Sequence, residues 1–148
     1  MKYAGVVVLY NPQKADLLNI DTYIENLDVL YIVDNSTIRH DYAIDLEKKE
    51  RCEYIFNGQN LGIATALNIG AKKAMYAGYK WILTLDQDTC LNEEVFLAVN
   101  EYIEKNNCSK IGIICPWHNT KLLEARPKEI VDHPLDVMTS GNFVNLDI

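Results

Sequence analysis

No stretch of this sequence is long and apolar enough to span a membrane, no basic run marks a nucleic-acid face, and no cysteine pair has the spacing of a zinc site. Each absence removes a class of function. The apolar run over residues 4–10 stops at Asn11-Pro12, far short of the roughly 20 residues of a spanning helix. No signal-peptide cleavage pattern follows it, so the chain is expected to be cytoplasmic. The formal net charge of −7 argues against a polyanionic partner, and nucleic acid is set aside. An anionic small ligand would need a metal ion or helix N-termini to offset the repulsion. The four cysteines, at 52, 90, 108 and 115, include no C-x-x-C pair, and His40, His118 and His133 lack metal-ligand spacing. Reduced, mostly buried thiols and surface or loop histidines are expected. There are no internal repeats, low-complexity tracts or linkers. The 148 residues therefore read as one domain, residues 1–148, large enough for a real core.

What is present is an alternation of strands and helices. "YAGVVVL", residues 3–9, is apolar and β-branched without alternation, as in a strand buried on both faces of a parallel sheet. Residues 14–27 carry Leu17, Leu18, Ile20, Tyr23, Ile24 and Leu27 near helical spacing. "VLYIVDNS", 29–36, is a second buried strand; 41–51 a short helix or loop; "CEYIFN", 52–57, a third strand. Residues 58–79 read as a loop and then a helix, with Asn60 as N-cap candidate and Gly78 as its stop. "WILTLDQD", 81–88, is the fourth strand, 92–106 an amphipathic helix capped by Asn92, and 110–116 a fifth strand. Residues 117–137 read as a long polar loop, and 138–148 as the start of something strand-like. The pattern predicts an α/β fold with a largely parallel sheet flanked by helices.

In such sheets ligands bind beyond the carboxyl ends of the strands. Three strands end in polar residues: Tyr10-Asn11, Asp34-Asn35-Ser36 and Asp86-Gln87-Asp88. If the strands are parallel, all three fall on one edge. In extended backbone Asp86 and Asp88 would point to the same side. Hard carboxylate oxygens suit Mg²⁺ or Mn²⁺, which take one or two carboxylates together with phosphate oxygens. The plainer alternative has one aspartate capping a turn and the other solvated. Asp34 reads either as a turn former or as an acceptor for a ribose hydroxyl or base N–H. The Asn60-Leu61-Gly62 turn reads either as a plain helix start or as a phosphate-facing N-terminus.

Taken in order, "GVVVLYNP", "IVDNST", "NLGIATALNIGAKKA", "ILTLDQDT" and "SGNFV" resemble inverting family 2 glycosyltransferases of the GT-A fold, and bacterial rhamnosyltransferases in particular. The resemblance covers nearly the whole chain. It implies that Tyr10 and Asn11 lie against the base of a nucleotide sugar and that Asp34 hydrogen-bonds base or ribose. Asn60 and Gly62 would line the nucleotide pocket. Asp86 would contact ribose or metal, and Asp88 would ligate Mg²⁺ or Mn²⁺ on the diphosphate. Ser140 and Gly141 would lie near the donor sugar. The donor would be dTDP-rhamnose or a UDP-sugar, and the acceptor a glycan or lipid-linked hydroxyl. Family members are longer, and their catalytic base lies beyond the "SG" segment. Asp147 is too close to that segment, and Asp132 and Asp136 precede it. The expectation is therefore a shortened chain or natural fragment that carries donor binding, with its base beyond Ile148. A longer parent would associate peripherally with the inner face of the membrane. An unprotected sheet edge would allow a homodimer.

Other readings compete. A haloacid-dehalogenase-type phosphatase would use Asp86 as nucleophile and Asp88 as acid/base, but that motif normally opens its domain. A non-catalytic nucleotide-binding module is another. A nucleotidyltransferase usually carries a Gly-rich basic loop after its first strand, which "LYNPQKAD" is not.

Overall fold

Both faces of the central strands are apolar, and the fold follows from covering both. The computed structural model describes residues 3–116 and 138–148. Strand β1 (Ala4–Leu9) is buried at every position. Ala4, Val6 and Val8 face one apolar cluster, and Val7 and Leu9 the other. Strand β2 (Val29–Asp34) divides in the same way, Tyr31 and Val33 against Leu30 and Ile32. An unalternating apolar run is what a strand needs when helices pack on each side. Strand β3 (Cys52–Phe56) and β4 (Trp81–Asp86) complete the parallel part.

The sheet order is β3-β2-β1-β4-β6-β5, where β5 is Ile113–Ile114 and β6 is Asn142–Asn145. Strands β1 to β4 are parallel. Strand β6 runs antiparallel to both β4 and β5, so the largely parallel α/β expectation holds. The reversal matters for the site. Thr84 pairs with Asn142, so the chain entering β6 lies beside the carboxyl end of β4.

Helix α3 (Ile63–Tyr76) covers one face with a stripe of small residues, Ala66, Gly70 and Ala74. The other face is covered by α1 (Lys14–Asn19), by two 3-10 turns (Ile20–Thr22 and Ile24–Asn26), by α2 (Tyr42–Lys48) and by α4 (Glu93–Lys105). Ile20, Tyr23, Leu46, Phe96 and Val99 are buried there. The Asn92 side chain caps α4 by accepting from the Val95 N–H at 3.3 Å, as expected. Gly78, at φ 81°, follows the end of α3 in the left-handed region that glycine tolerates.

Several expectations need correction. The helix expected over 14–27 is α-helical only to Asn19 and then tightens into the two 3-10 turns. Spacings of three, Ile20–Tyr23 and Ile24–Leu27, serve a 3-10 turn as well as an α-helix. Thr22 and Asn19 also spend their side chains on other partners: Thr22 Oγ1 bonds the Asn19 carbonyl, and Asn19 Nδ2 bonds the Gln87 carbonyl. The N-cap of α3 is Gly62, not Asn60. The fifth strand is two residues long. Cys90 and Cys115 are exposed and Cys52 and Cys108 half-buried, so the thiols are not mostly buried. His40 is exposed, as expected. The loop read over 117–137, with His118, His133, Asp132 and Asp136, lies outside the described residues. No helix among the described residues is long and apolar enough to cross a membrane.

Candidate active site

The polar strand ends do meet. Leu9 pairs with Asp34, and Val8 with Asp86, so the ends of β2, β1 and β4 stand side by side. Hydrogen bonds join them into a continuous rim. The Asn11 N–H donates to Ser36 Oγ at 2.8 Å, tying β1 to β2. The Tyr10 N–H donates to Gln87 Oε1 at 2.8 Å, tying β1 to the turn after β4. The Asp86 N–H donates to Ser140 Oγ at 2.8 Å, tying β4 to the approach to β6. On the far side Asn57 Nδ2 donates to Asn35 Oδ1 at 2.8 Å, and Asn35 Nδ2 to the Gly62 carbonyl at 3.3 Å, joining β3, β2 and the start of α3.

Asp86 and Asp88 do not lie on one extended segment. Asp86 ends β4, and Gln87 and Asp88 form a turn closed by the Thr89 N–H on the Asp86 carbonyl at 3.0 Å. The two carboxylates still feel each other. The Asp86 carboxyl is pushed above the usual carboxylate range, first by burial and then by the charge of Asp88. Asp88 itself is exposed. Among the described residues no lysine or arginine is paired with either carboxylate. An exposed carboxylate beside a half-buried one, without a cationic partner among the described residues, fits a hard divalent cation that keeps open positions for phosphate oxygens and water. The described residues offer no group of three His, Cys, Asp or Glu side chains, so an all-protein metal cage does not fit.

Asp34 is placed differently from a free ligand. Its side chain is wholly buried at 0% exposure. Oδ2 accepts from the hydroxyls of Tyr42 at 2.8 Å and Tyr54 at 2.7 Å, and Oδ1 accepts from the Ser36 N–H at 2.8 Å. Contact with a base or ribose would have to use the remaining capacity of Oδ1 or displace a tyrosine hydroxyl. Burial is also the main reason that both tyrosine hydroxyls are held protonated above their ordinary range, Tyr42 at about 12.

The other expected residues lie around this rim. Tyr10 is 47% exposed, and Asn11 takes a positive φ of 45°, which asparagine tolerates. Asn60 Oδ1 accepts from the Gly62 N–H at 2.9 Å. Gly62, at φ 80° and ψ 158°, occupies a region nearly closed to other residues, although a Cβ there would meet nothing. Ser140 is buried, and its hydroxyl also lies 2.5 Å from Thr89 Oγ1. Gly141 donates to the Thr84 carbonyl at 2.6 Å.

Sequence reasoning assigned no role to Tyr42, Tyr54, Asn57, Gln87 or Thr89. Gln87 sat in plain view inside the Asp-Gln-Asp run. The tyrosines gave no signal, because their partner lies 8 and 20 residues away on other elements.

A parallel sheet with a hydrogen-bonded polar rim at its carboxyl edge makes this an α/β fold of the kind in which ligands bind at that edge. The glycosyl transferase family 2 model matches residues 15–144. The chain belongs to that family. It is 31% identical over 111 residues to the dTDP-rhamnosyl transferase RfbF of Shigella flexneri, covering 73% of this chain and 36% of RfbF. Among solved structures, S. aureus TarS 1–349 superposes with a TM-score of 0.70 at 17% identity, covering 99% of this chain and 47% of that one. TarS 1–349 in complex with UDP-GlcNAc gives 0.53 at 21% identity over 71% of this chain and 32% of that one. The chain thus spans about a third of RfbF and about half of the TarS fragment. The phosphatase reading of Asp86 and Asp88 gives way to this family membership, and the motif strand is fourth in the chain rather than first.

Proposed function

We propose that this chain binds the nucleoside-diphosphate sugar of a glycosyl transfer, with Asp86 and Asp88 holding Mg²⁺ or Mn²⁺ against the diphosphate. The observation that carries the reading is the pair itself: a half-buried and an exposed carboxylate two residues apart at the carboxyl end of β4, with no lysine or arginine paired to either among the described residues. When bound, the cation would supply Lewis-acid stabilisation of the departing diphosphate. The chain's own residues bind and orient. Tyr10, half-exposed, and Asn11 offer a surface to the base, and Asn60 and Gly62 shape the opposite wall at the start of α3. Ser140 holds the Asp86 amide, which sets the sugar-side segment Ser140-Gly141 next to the acid pair. Asp34 shapes the floor through its tyrosine clamp.

RfbF supports rhamnose as the sugar and dTDP as its carrier, and TarS supports a UDP-sugar as the second candidate. The acceptor is assigned as a glycan or lipid-linked hydroxyl, attacked in a single displacement that inverts the anomeric carbon. A carboxylate outside the described residues would take its proton. A second copy pairing along an unprotected sheet edge remains part of this proposal, as does a cytoplasmic setting with the parent at the inner membrane face.

A thermal-shift titration tests donor binding. A ligand at about 100 times its dissociation constant adds roughly 2.7 kcal/mol, which raises Tm by several degrees for a chain of this size. dTDP with Mn²⁺ is expected to give that rise. EDTA or Asp88→Ala should remove most of it. A rise that is equal with and without metal contradicts the assigned role of the pair.

A further inference from the structure

Gln87 separates the two carboxylates in sequence, and its hydrogen bonds go to the β1–α1 segment. Its amide oxygen accepts the Tyr10 N–H at 2.8 Å, and its amide nitrogen donates to Asp16 Oδ2 at 3.3 Å. Its main-chain carbonyl accepts from Asn19 Nδ2 at 3.1 Å. The middle of the turn is thus pinned at three points to the β1–α1 segment. The side-chain amide suits both contacts. The Tyr10 N–H can only donate and the Asp16 carboxylate can only accept, so the group between them must do both. Asp16 is itself fixed, because Oδ2 also accepts the Gln13 N–H at 2.7 Å as part of the α1 capping box. On the opposite side the turn is held by Thr89 and Ser140 at the Asp86 amide.

We propose that Gln87 is a positioning residue that sets the Asp86–Asp88 carboxylates for the metal and ties that turn to the loop carrying Tyr10. This rests on the donor-binding reading above. Without the latch the turn keeps its Thr89 and Ser140 contacts but gains freedom about them, and the carboxylates meet the cation in a less fixed geometry. Partners one step behind metal ligands typically account for about 10–100-fold in metal affinity.

The test is calorimetric titration of the full 148-residue chain with dTDP, once in Mn²⁺ and once in EDTA. The ratio of the two dissociation constants measures the metal's contribution. Gln87→Glu keeps an acceptor for the Tyr10 amide but sets a carboxylate against Asp16, and should cut the ratio about tenfold. Adding Asp16→Asn in the same chain removes the like-charge contact and should recover part of the ratio. A residue that matters only for folding would lower Tm without this loss and recovery. A wild-type ratio well above one with no change in Gln87→Glu, or with no recovery in the double variant, overturns the role of Gln87 alone. A wild-type ratio of one overturns the donor-site reading and the inference together. Asp88→Ala, expected to bring the ratio close to one, marks the scale.

Discussion

Asp34→Ala is expected to cost about 3–5 kcal/mol of folding stability, the largest loss for any polar residue at the rim. The carboxylate is wholly buried and accepts from Tyr42, Tyr54 and the Ser36 N–H. Removing it strands three donors, each costing about 1–3 kcal/mol if left without an acceptor. Tyr42 recovers part of this, because its hydroxyl lies 3.4 Å from Ser36 Oγ. Asp34→Asn should be much milder, about 1–2 kcal/mol. The side-chain amide keeps an acceptor for the fixed Ser36 N–H, and the tyrosine hydroxyls can rotate to accept from the new N–H₂ group. Urea unfolding of the two variants beside the wild type checks this. Equal, small losses for both would mean that the clamp contributes little and that Asp34 is available to a ligand.

Gly70→Ala is expected to destabilise by about 2–3 kcal/mol, even though alanine is favoured over glycine in a helix by about 1 kcal/mol. A Cβ at position 70 would lie 2.3 Å from Val6 Cγ2 and 2.7 Å from Val6 Cβ. Val6 Cγ2 could rotate away. The Val6 Cβ cannot move without β1, which is hydrogen-bonded on both sides. Helix α3 must therefore lift from the sheet, and packing across the Ala66–Gly70–Ala74 stripe goes with it. Gly5 offers a contrast: its nearest neighbour is Leu27 Cδ1 at 2.6 Å, the far end of a flexible side chain, so Gly5→Ala should cost less. Val6→Ala removes part of the obstruction, and its combination with Gly70→Ala should cost less than the sum of the two. A neutral or stabilising Gly70→Ala, read from urea midpoints, would contradict this packing.

The parallel strands were legible because their chemistry is local. A run such as "YAGVVVL" buries both faces wherever it sits, and the polar residues after β1, β2 and β4 show where each strand stops. That those ends converge follows from parallel pairing, which the alternation of strands and helices already implied. The limits of α1 were not legible, since Ile20–Tyr23 and Ile24–Leu27 suit an α-helix and a 3-10 turn equally. The place of β6 between β4 and β5 was hidden too, because it depends on pairings across 29 positions or more, Ile114 with Phe143 among them. At the rim, the motifs singled out the acid pair and Ser140-Gly141, which the fold brings side by side. The latch on Gln87 and the tyrosine clamp on Asp34 were missed. Glutamine, tyrosine and serine are ordinary surface residues until the fold brings a partner within 3 Å.

The most direct test of the acid pair is an anomalous difference map from crystals grown with dTDP and Mn²⁺. A single strong peak is expected at bonding distance, about 2.1 Å, from a carboxylate oxygen of Asp88, with Asp86 beside it and diphosphate oxygens completing the shell. A nucleotide bound at the carboxyl edge of the sheet with manganese away from both aspartates, or with none at all, would contradict the account.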